Sequence, residues 1–156
     1  TIEEISINDF QDNNTATIVI SNSSLGNYEF SLDGVNYQDS TIFTNLNAGE
    51  YTVYVQDKKG CGIVFETFYI LDYPKYFTPN GDGYNDTWTV LNLDDNARIR
   101  IFDRYGKFIV EINSQSQSWD GSFDGQQLPA DDYWFTVNYS LNGVTHEYKN
   151  HFSLKR

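Results

Sequence analysis

Residues 98–112 read RIRIFDRYGKFIVEI and contain the clearest fold signal in the chain. Apolar and polar side chains alternate along Arg98–Phe102, and Phe108–Ile112 forms a second apolar run of strand length. The segment between them, Asp103-Arg104-Tyr105-Gly106, has the composition of a tight hairpin turn. This stretch therefore predicts two antiparallel strands joined by a short turn.

Short strands of the same kind are predicted on both sides of this hairpin. Turn residues such as Asp33-Gly34 and Asn142-Gly143 separate them, and no window has a helical period of convincing length. Pro74 marks a boundary because it cannot donate a ladder hydrogen bond. We therefore predict an all-β fold of two small antiparallel β-sandwich domains, residues 1–73 and 74–156. The further predicted strands are 15–20, 28–32, 51–55, 63–70, 87–90, 133–139 and 147–154.

The charge of the chain excludes several classes of partner. The net charge is −12, and residues 1–73 contribute −9 of it through eleven acidic residues against two lysines. Such a surface repels nucleic-acid phosphates and anionic lipid headgroups. No apolar run approaches the length of about 20 residues that spans a bilayer. The sequence therefore predicts no nucleic-acid binding and no direct membrane insertion.

Catalytic constellations are also missing from the sequence. Cys61 is the single cysteine, which excludes an intrachain disulfide, and we interpret it as a small semi-buried side chain in a turn. His146 and His151 lie near the C-terminal strand, and neither a nucleophile elbow nor a phosphate-binding glycine loop is present. We predict that the protein is not an enzyme.

The densest group of polar residues lies in the run FTPNGDGYND, residues 77–86. Asn80, Asp82 and Asp86 have the spacing of part of a calcium loop, in which glycine allows the sharp turn that hard cations need. The alternative is an Asx-turn loop in which these side chains bond their own backbone. The sequence leaves a bound calcium ion as one hypothesis for this loop.

Two tryptophans lie close to acidic residues and support an alternative function. Trp119 precedes Asp120-Gly121, and Trp134 follows Asp131-Asp132-Tyr133. Either ring could stack on a sugar in a calcium-dependent adhesion or carbohydrate-binding β-sandwich module. A Trp beside an Asp-Gly turn more often packs in the core, and we favour that interpretation for Trp119.

Six sequence blocks in residues 74–156 together resemble a known family. In order and spacing they are similar to the gliding-motility-associated C-terminal domain, which is a type B sorting domain of the type IX secretion system of Bacteroidota. Residues 1–73 resemble the Ig-like repeats that often precede it, through residues 28–34 and 48–57. The six blocks are FTPNGDGYNDTW (77–88), IFDRYG (101–106), WDG (119–121), LP (128–129), DYW (132–134) and FSLKR (152–156).

The resemblance implies a secretion signal that ends an adhesin or another surface protein. Such a domain directs a periplasmic passenger through the outer-membrane translocon, with a PorP/SprF-like outer-membrane protein as partner. We therefore expect the protein to be secreted or displayed on the cell surface by way of the periplasm. Residues 1–73 would then form an Ig-like spacer.

The recognition surface is a further hypothesis drawn from these residues. We expect the loop of residues 80–86 and the C-terminal strand to form it, and we expect cations on this acidic chain to contact an acidic rim on the translocon. The closing strand could also offer an edge for β-augmentation. The residues assigned to partner binding are Asn80, Asp82, Arg104, Phe152, Leu154, Lys155 and Arg156.

Overall fold

The computed structural model describes residues 1–21, 26–60, 62–94, 96–113, 117–141 and 143–156. Within these residues all regular structure is β-strand, so the predicted all-β class is confirmed. The chain forms two compact units, Thr1–Asp72 and Tyr73–Arg156, whereas the sequence interpretation put the division after Tyr73. No helix of the described residues is long and apolar enough to cross a membrane. The interpretation of Cys61 lies outside the described residues.

The first unit, Thr1–Asp72, consists of two three-stranded antiparallel sheets. One sheet has the order β1-β2-β4 and the other the order β3-β5-β6. A cluster of buried apolar residues comes from strands of both sheets, and it includes Ile18 on β2 and Val53 on β5. The unit is therefore a β-sandwich. Its strands are β1 (Ile2–Asn8), β2 (Asn14–Ile20), β3 (Tyr28–Ser31), β4 (Ile42–Leu46), β5 (Gly49–Asp57) and β6 (Ile63–Ile70).

The second unit, Tyr73–Arg156, is built on a five-stranded sheet of order β7-β13-β12-β8-β9. All pairs are antiparallel except β7 with β13, and β10 and β11 form a separate two-stranded sheet. The hairpin that joins β8 to β9 is the one predicted at residues 98–112, and its strand bounds agree with the prediction. The strands are β7 (Tyr76–Phe77), β8 (Arg98–Phe102), β9 (Phe108–Ile112), β10 (Ser122–Phe123), β11 (Gln126–Gln127), β12 (Asp131–Leu141) and β13 (Val144–Leu154).

One face of the five-stranded sheet is apolar and lies on the core. Alternate residues of β12, which include Tyr133, Phe135 and Val137, are buried there, because successive side chains of a strand point to opposite faces. The layer that covers this face consists largely of segments without regular structure. Trp88 and Trp119 lie in this layer, and each is at most 3% exposed.

The strand predicted at residues 87–90 is wrong. Trp88 makes a single antiparallel bridge with Trp119, and its indole Nε1 donates to the carbonyl of Pro74 at 2.8 Å. Val90 is buried, so the apolar residues here cover the sheet instead of extending it. A short apolar alternation predicts burial on one side, but it does not by itself supply a neighbouring strand.

Candidate functional site

The sequence blocks that carried the family resemblance meet in the core of the second unit. The indole of Trp88 stacks on the ring of Phe152 with centroids 3.8 Å apart and planes 9° apart. The ring of Trp119 lies 5.6 Å from that of Phe77 and 5.1 Å from that of Tyr133. Four blocks that are distant in the sequence therefore contribute to one aromatic cluster, which large buried rings stabilise.

Gly121 of the block at residues 119–121 allows a close approach to the last strand. Its φ is +81°, and a Cβ added there would lie 2.8 Å from Cδ1 of Leu154 and 3.3 Å from Cζ of Phe77. Real carbon atoms do not approach so closely, and a left-handed φ is costly for a residue with a Cβ. Any other residue would adopt this costly φ and would require the side chain of Leu154 to move.

The two basic residues that follow β13 contact residues beside this cluster. Arg156 Nε donates to the carbonyl of Leu128 at 2.9 Å, and Arg156 Nη2 donates to the carbonyl of Gly121 at 3.3 Å. Lys155 Nζ lies 4.5 Å from the ring centroid of Tyr76. These contacts fix the residues after β13 to the loops that surround them.

The loop of residues 80–86 is held by its own side chains. The carboxylate of Asp86 accepts from the backbone N–H groups of Gly81 and Gly83, each at 2.8 Å, and from that of Asn80 at 3.1 Å. These backbone donors hold the pKa of Asp86 below its ordinary value, since they stabilise the charged form. Asp82 accepts from the backbone N–H of Tyr84 and from the side chain of Asn80.

These hydrogen bonds, from backbone N–H groups to side chains of the same loop, are the ones that the Asx-turn interpretation predicts. Within the residues that the structure describes, no group of three or more His, Cys, Asp or Glu side chains is arranged to hold a metal ion. Asn80 and carbonyl oxygens are outside that count, so calcium binding by Asn80, Asp82 and Asp86 stays a prediction.

Arg104 lies in the β8–β9 turn, beside the start of β12. Its guanidinium is 3.4 Å from the carboxylate of Asp131. The turn itself is fixed by Asp103, whose carboxylate accepts from the backbone N–H groups of Tyr105 and Lys107. Between this turn and Pro129 lies a shallow hollow of about 150 Å³.

The residues assigned to partner binding fall into three groups in the structure. Phe152 and Leu154 are each 1% exposed, so in this fold their side chains support the core and do not face a partner. Asn80 and Asp82 are bound within their loop, although both are exposed. The cations of Arg104, Lys155 and Arg156 remain at the surface. The closing strand is not a free edge at its end, because β7 pairs with Ser153 and Leu154.

The two histidines both lie on β13, each opposite an aromatic residue of β12. His146 stacks on Tyr139 with centroids 5.4 Å apart, and His151 lies 5.0 Å from Trp134. Both are cross-strand pairs of β12 and β13. Such pairs stabilise a sheet.

Residues 71–154 match the family model of the CHU_C type IX secretion signal domain. The match spans more than half of the chain and contains the aromatic cluster, Gly121 and the loop of residues 80–86. The chain belongs to this family. A type IX secretion signal domain marks a secreted or cell-surface protein and interacts with the type IX secretion machinery. It is a non-catalytic kind of domain.

Two solved structures are similar to the chain at low identity. One is described as a biofilm associated protein, BSP domain, with 10% identity, a TM-score of 0.33 and coverage of 98% of this chain. This chain spans 29% of the length of that one. The other contains fibronectin(III)-like modules of Clostridium thermocellum CbhA, with 10% identity, a TM-score of 0.28 and coverage of 97% of this chain and 93% of that one. No curated protein matches the chain.

The sequence interpretation missed one exposed feature of the type IX secretion signal domain. Trp134 is 48% exposed and Phe108 is 49% exposed, and both lie on the face of the five-stranded sheet opposite the core. The alternation in β12 could have predicted this exposure. If Tyr133 and Phe135 point into the core, Trp134 between them must point to the opposite face of the sheet. The sequence analysis gave Trp134 as a sugar-stacking residue and as part of the block at residues 132–134, without its neighbours on the sheet.

Proposed function

We propose that the second unit is a sorting signal that directs a surface protein through the outer-membrane translocon of the type IX secretion system. The match of residues 71–154 to the secretion signal family carries this proposal. The passenger reaches the translocon from the periplasm, and a PorP/SprF-like outer-membrane protein is the proposed partner. The source is a bacterium of the Bacteroidota, and the passenger is an adhesin or a protein used in gliding motility.

The packing of the second unit supports recognition of a folded signal. The buried rings of Trp88, Trp119 and Phe152 and the contacts of Arg156 hold distant segments in one arrangement. A surface built from several segments exists only when the core is formed. Recognition of an extended peptide would not need such a core, so the structure favours a signal that is recognised as a folded domain.

The first unit is proposed to be an Ig-like spacer. It is a complete sandwich with its own core, and most of the negative charge of the chain lies in it. A strongly acidic surface keeps a domain soluble and separate from anionic lipid. These properties suit a domain that holds a passenger away from the cell surface.

An export experiment tests the proposal. Residues 1–156 are fused behind a signal peptide and a fluorescent reporter, and the fusion is expressed with a PorP/SprF-like partner in a gliding bacterium. We expect reporter on the surface or in the medium of the strain with an intact translocon, and periplasmic reporter in a translocon deletion strain. A reporter with the signal peptide alone is the control. Periplasmic retention of a folded fusion in the intact strain would reject the proposal.

A further inference from the structure

The outward face of the five-stranded sheet has a row of aromatic side chains across four strands. His151 on β13 is opposite Trp134 on β12, Trp134 is opposite Phe102 on β8, and Phe102 is opposite Phe108 on β9. We name these four residues the aromatic row. Three strand spacings give it a length of about 14 Å. All four side chains point away from the core, and Trp134 and Phe108 are about half exposed.

Cations flank the aromatic row on one side, and Asp132 lies at the next position of β12 on the other side. The next positions along the strands are Arg100 and Lys149, and Arg98 lies two residues further along β8. All three cations are exposed at the surface. Their carboxylate neighbours are Glu111, 2.8 Å from Arg100, and Glu147, 3.1 Å from Lys149. Exposed ion pairs of this kind contribute little to stability, so their members can exchange partners.

The composition of this face is that of a protein interface. Tryptophan and arginine are the residues most enriched at energetic hot spots, and aromatic anchors surrounded by polar residues are the common arrangement. Half-exposed Trp and Phe side chains contribute less to folding stability than buried ones, because an apolar side chain stabilises the fold through the area it removes from water. A partner that covers the row would remove that remaining area from water.

The geometry of the rings disfavours a sugar chain as the occupant. The planes of Trp134 and His151 are 46° apart, and those of Phe102 and Phe108 are 69° apart. A flat polysaccharide surface stacks best on rings that lie in one plane. Tilted rings form a ridged surface, which side chains of another protein can fill.

A second copy of the chain is also disfavoured, on charge. Two copies that approach each other bring together net charges of −12, which repel at long range. A partner that presents carboxylates next to Arg98, Arg100 and Lys149 instead complements this face.

We propose that the aromatic row and its flanking cations dock on a protein of the type IX secretion machinery, on an apolar patch bordered by carboxylates. This inference rests on the proposed function and names the surface that performs it. It replaces Phe152 and Leu154 as contact residues, since those side chains are buried. The role of the buried residues is then to hold the sheet that presents the row.

The test compares two double variants of the full chain in the export fusion. Trp134→Thr with Phe108→Thr removes the exposed rings of the row and keeps residues that favour strands. Phe65→Thr with Tyr69→Thr is the matched control, because these aromatic residues are also exposed on a strand but belong to the first unit, at 70% and 43%. Thermal unfolding of both purified variants verifies that they fold.

Two measurements are made on each variant. One is the surface reporter in the translocon-containing strain. The other is co-sedimentation of the purified chain with outer-membrane fragments from that strain and from the translocon deletion strain. We expect the row variant to stay in the periplasm and to bind translocon-containing membranes at least about tenfold more weakly, as for loss of a hot spot. The control variant should behave as the unmodified chain.

Each other outcome rejects the inference in a distinguishable way. Normal export and membrane binding of the folded row variant would overturn the docking surface and leave the proposed function intact. Failure of the unmodified chain to be exported would overturn the proposed function and the docking partner together. A dimer in solution or polysaccharide binding that only the row variant loses, with export unchanged, would assign the face to a second copy or to a glycan.

Discussion

The two units of the chain build their cores in different ways. In Thr1–Asp72 the main cluster of buried residues comes from strands of two facing sheets and is largely aliphatic, as with Ile18 and Val53. In Tyr73–Arg156 one sheet supplies most of the buried apolar residues, and the rest include Trp88 and Trp119 from segments without regular structure. The first core depends on alternation, which many sequences satisfy. The second depends on particular large residues at particular places, which explains why its sequence blocks identify a family.

The largest effect that we expect is from Trp88→Ala in the second unit. This side chain is fully buried and stacked on Phe152, so its loss should lower the free energy of unfolding by about 3–5 kcal/mol. Trp134→Ala is the matched control, since the same residue type is half exposed there, and it should cost about 1 kcal/mol or less. Urea unfolding of both variants measures the difference, and equal losses would contradict the described core.

A smaller effect is expected from Gly121→Ala. The added Cβ meets Leu154 and also adopts a left-handed φ, so we expect a loss of about 2–4 kcal/mol in the free energy of unfolding. Gly125→Ala separates the two causes, because Gly125 has a φ of +76° and no atom within 4 Å of the added Cβ. Its loss should be only about 1–2 kcal/mol. If chemical denaturation gave the same loss for both variants, contact with the last strand would not matter.

Arg156→Gln should have a moderate effect on the second unit. It removes the hydrogen bonds to the carbonyls of Leu128 and Gly121, which at an exposed position corresponds to about 1 kcal/mol. Lys149→Gln is the control, because its side chain forms an exposed ion pair with Glu147, and its loss should change stability by less than about 0.5 kcal/mol. Thermal melting of the two variants compares them, and a larger shift for Lys149→Gln would refute the role of Arg156.

The smallest effects concern two exposed carboxylates, one in each unit. Asp86 in the second unit and Asp33 in the first both have a pKa below the ordinary value, in each case chiefly through backbone N–H donors. A lowered pKa in the fold gives stability that is present above the unfolded value near 4 and is lost as pH falls through the folded value. Asp86→Asn and Asp33→Asn should therefore be less stable than the unmodified chain at pH 7.

The pH dependence is the measurement that decides this last prediction. Urea unfolding at pH 7, 5 and 3 should show the gap between each variant and the unmodified chain narrowing in acid. A gap of the same size at pH 3 and pH 7 would show that the carboxylate charge is not the cause. If only one of the two variants showed a stability difference that narrows in acid, the carboxylate charge would matter in that unit and not in the other.

Much of the strand structure was predictable from alternation. The strands Ile63–Ile70, Arg98–Phe102 and Phe108–Ile112 have the predicted bounds. The strands Ile2–Asn8 and Ile42–Leu46 were not predicted. In β1 the register shifts between Ile2 and Glu4, which breaks the alternation that would have identified it. β4 is only five residues long, and one of them, Asn45, has a positive φ.

The candidate site was less predictable because its parts are far apart in the sequence. The sequence indicated a core position for Trp119, and that prediction is correct, with 3% exposure. It could not show that Arg156 reaches Leu128, or that Gly121 faces Leu154, because those contacts depend on packing between segments. Phe152 and Leu154 are two residues apart on β13, so they lie on the same face of the sheet. The sequence alone does not show that this face is the covered one.

The strand order of the second unit has a consequence for biosynthesis. β7 is made first in this unit, but it pairs with the end of β13, and Trp88 stacks on Phe152 of the same strand. A polypeptide whose translation stops before Phe152 therefore leaves Trp88 uncovered and the sheet open, a state that chaperones and proteases recognise. The second unit can therefore fold only after its last strand has been translated, and a truncated chain would be degraded before it could be exported.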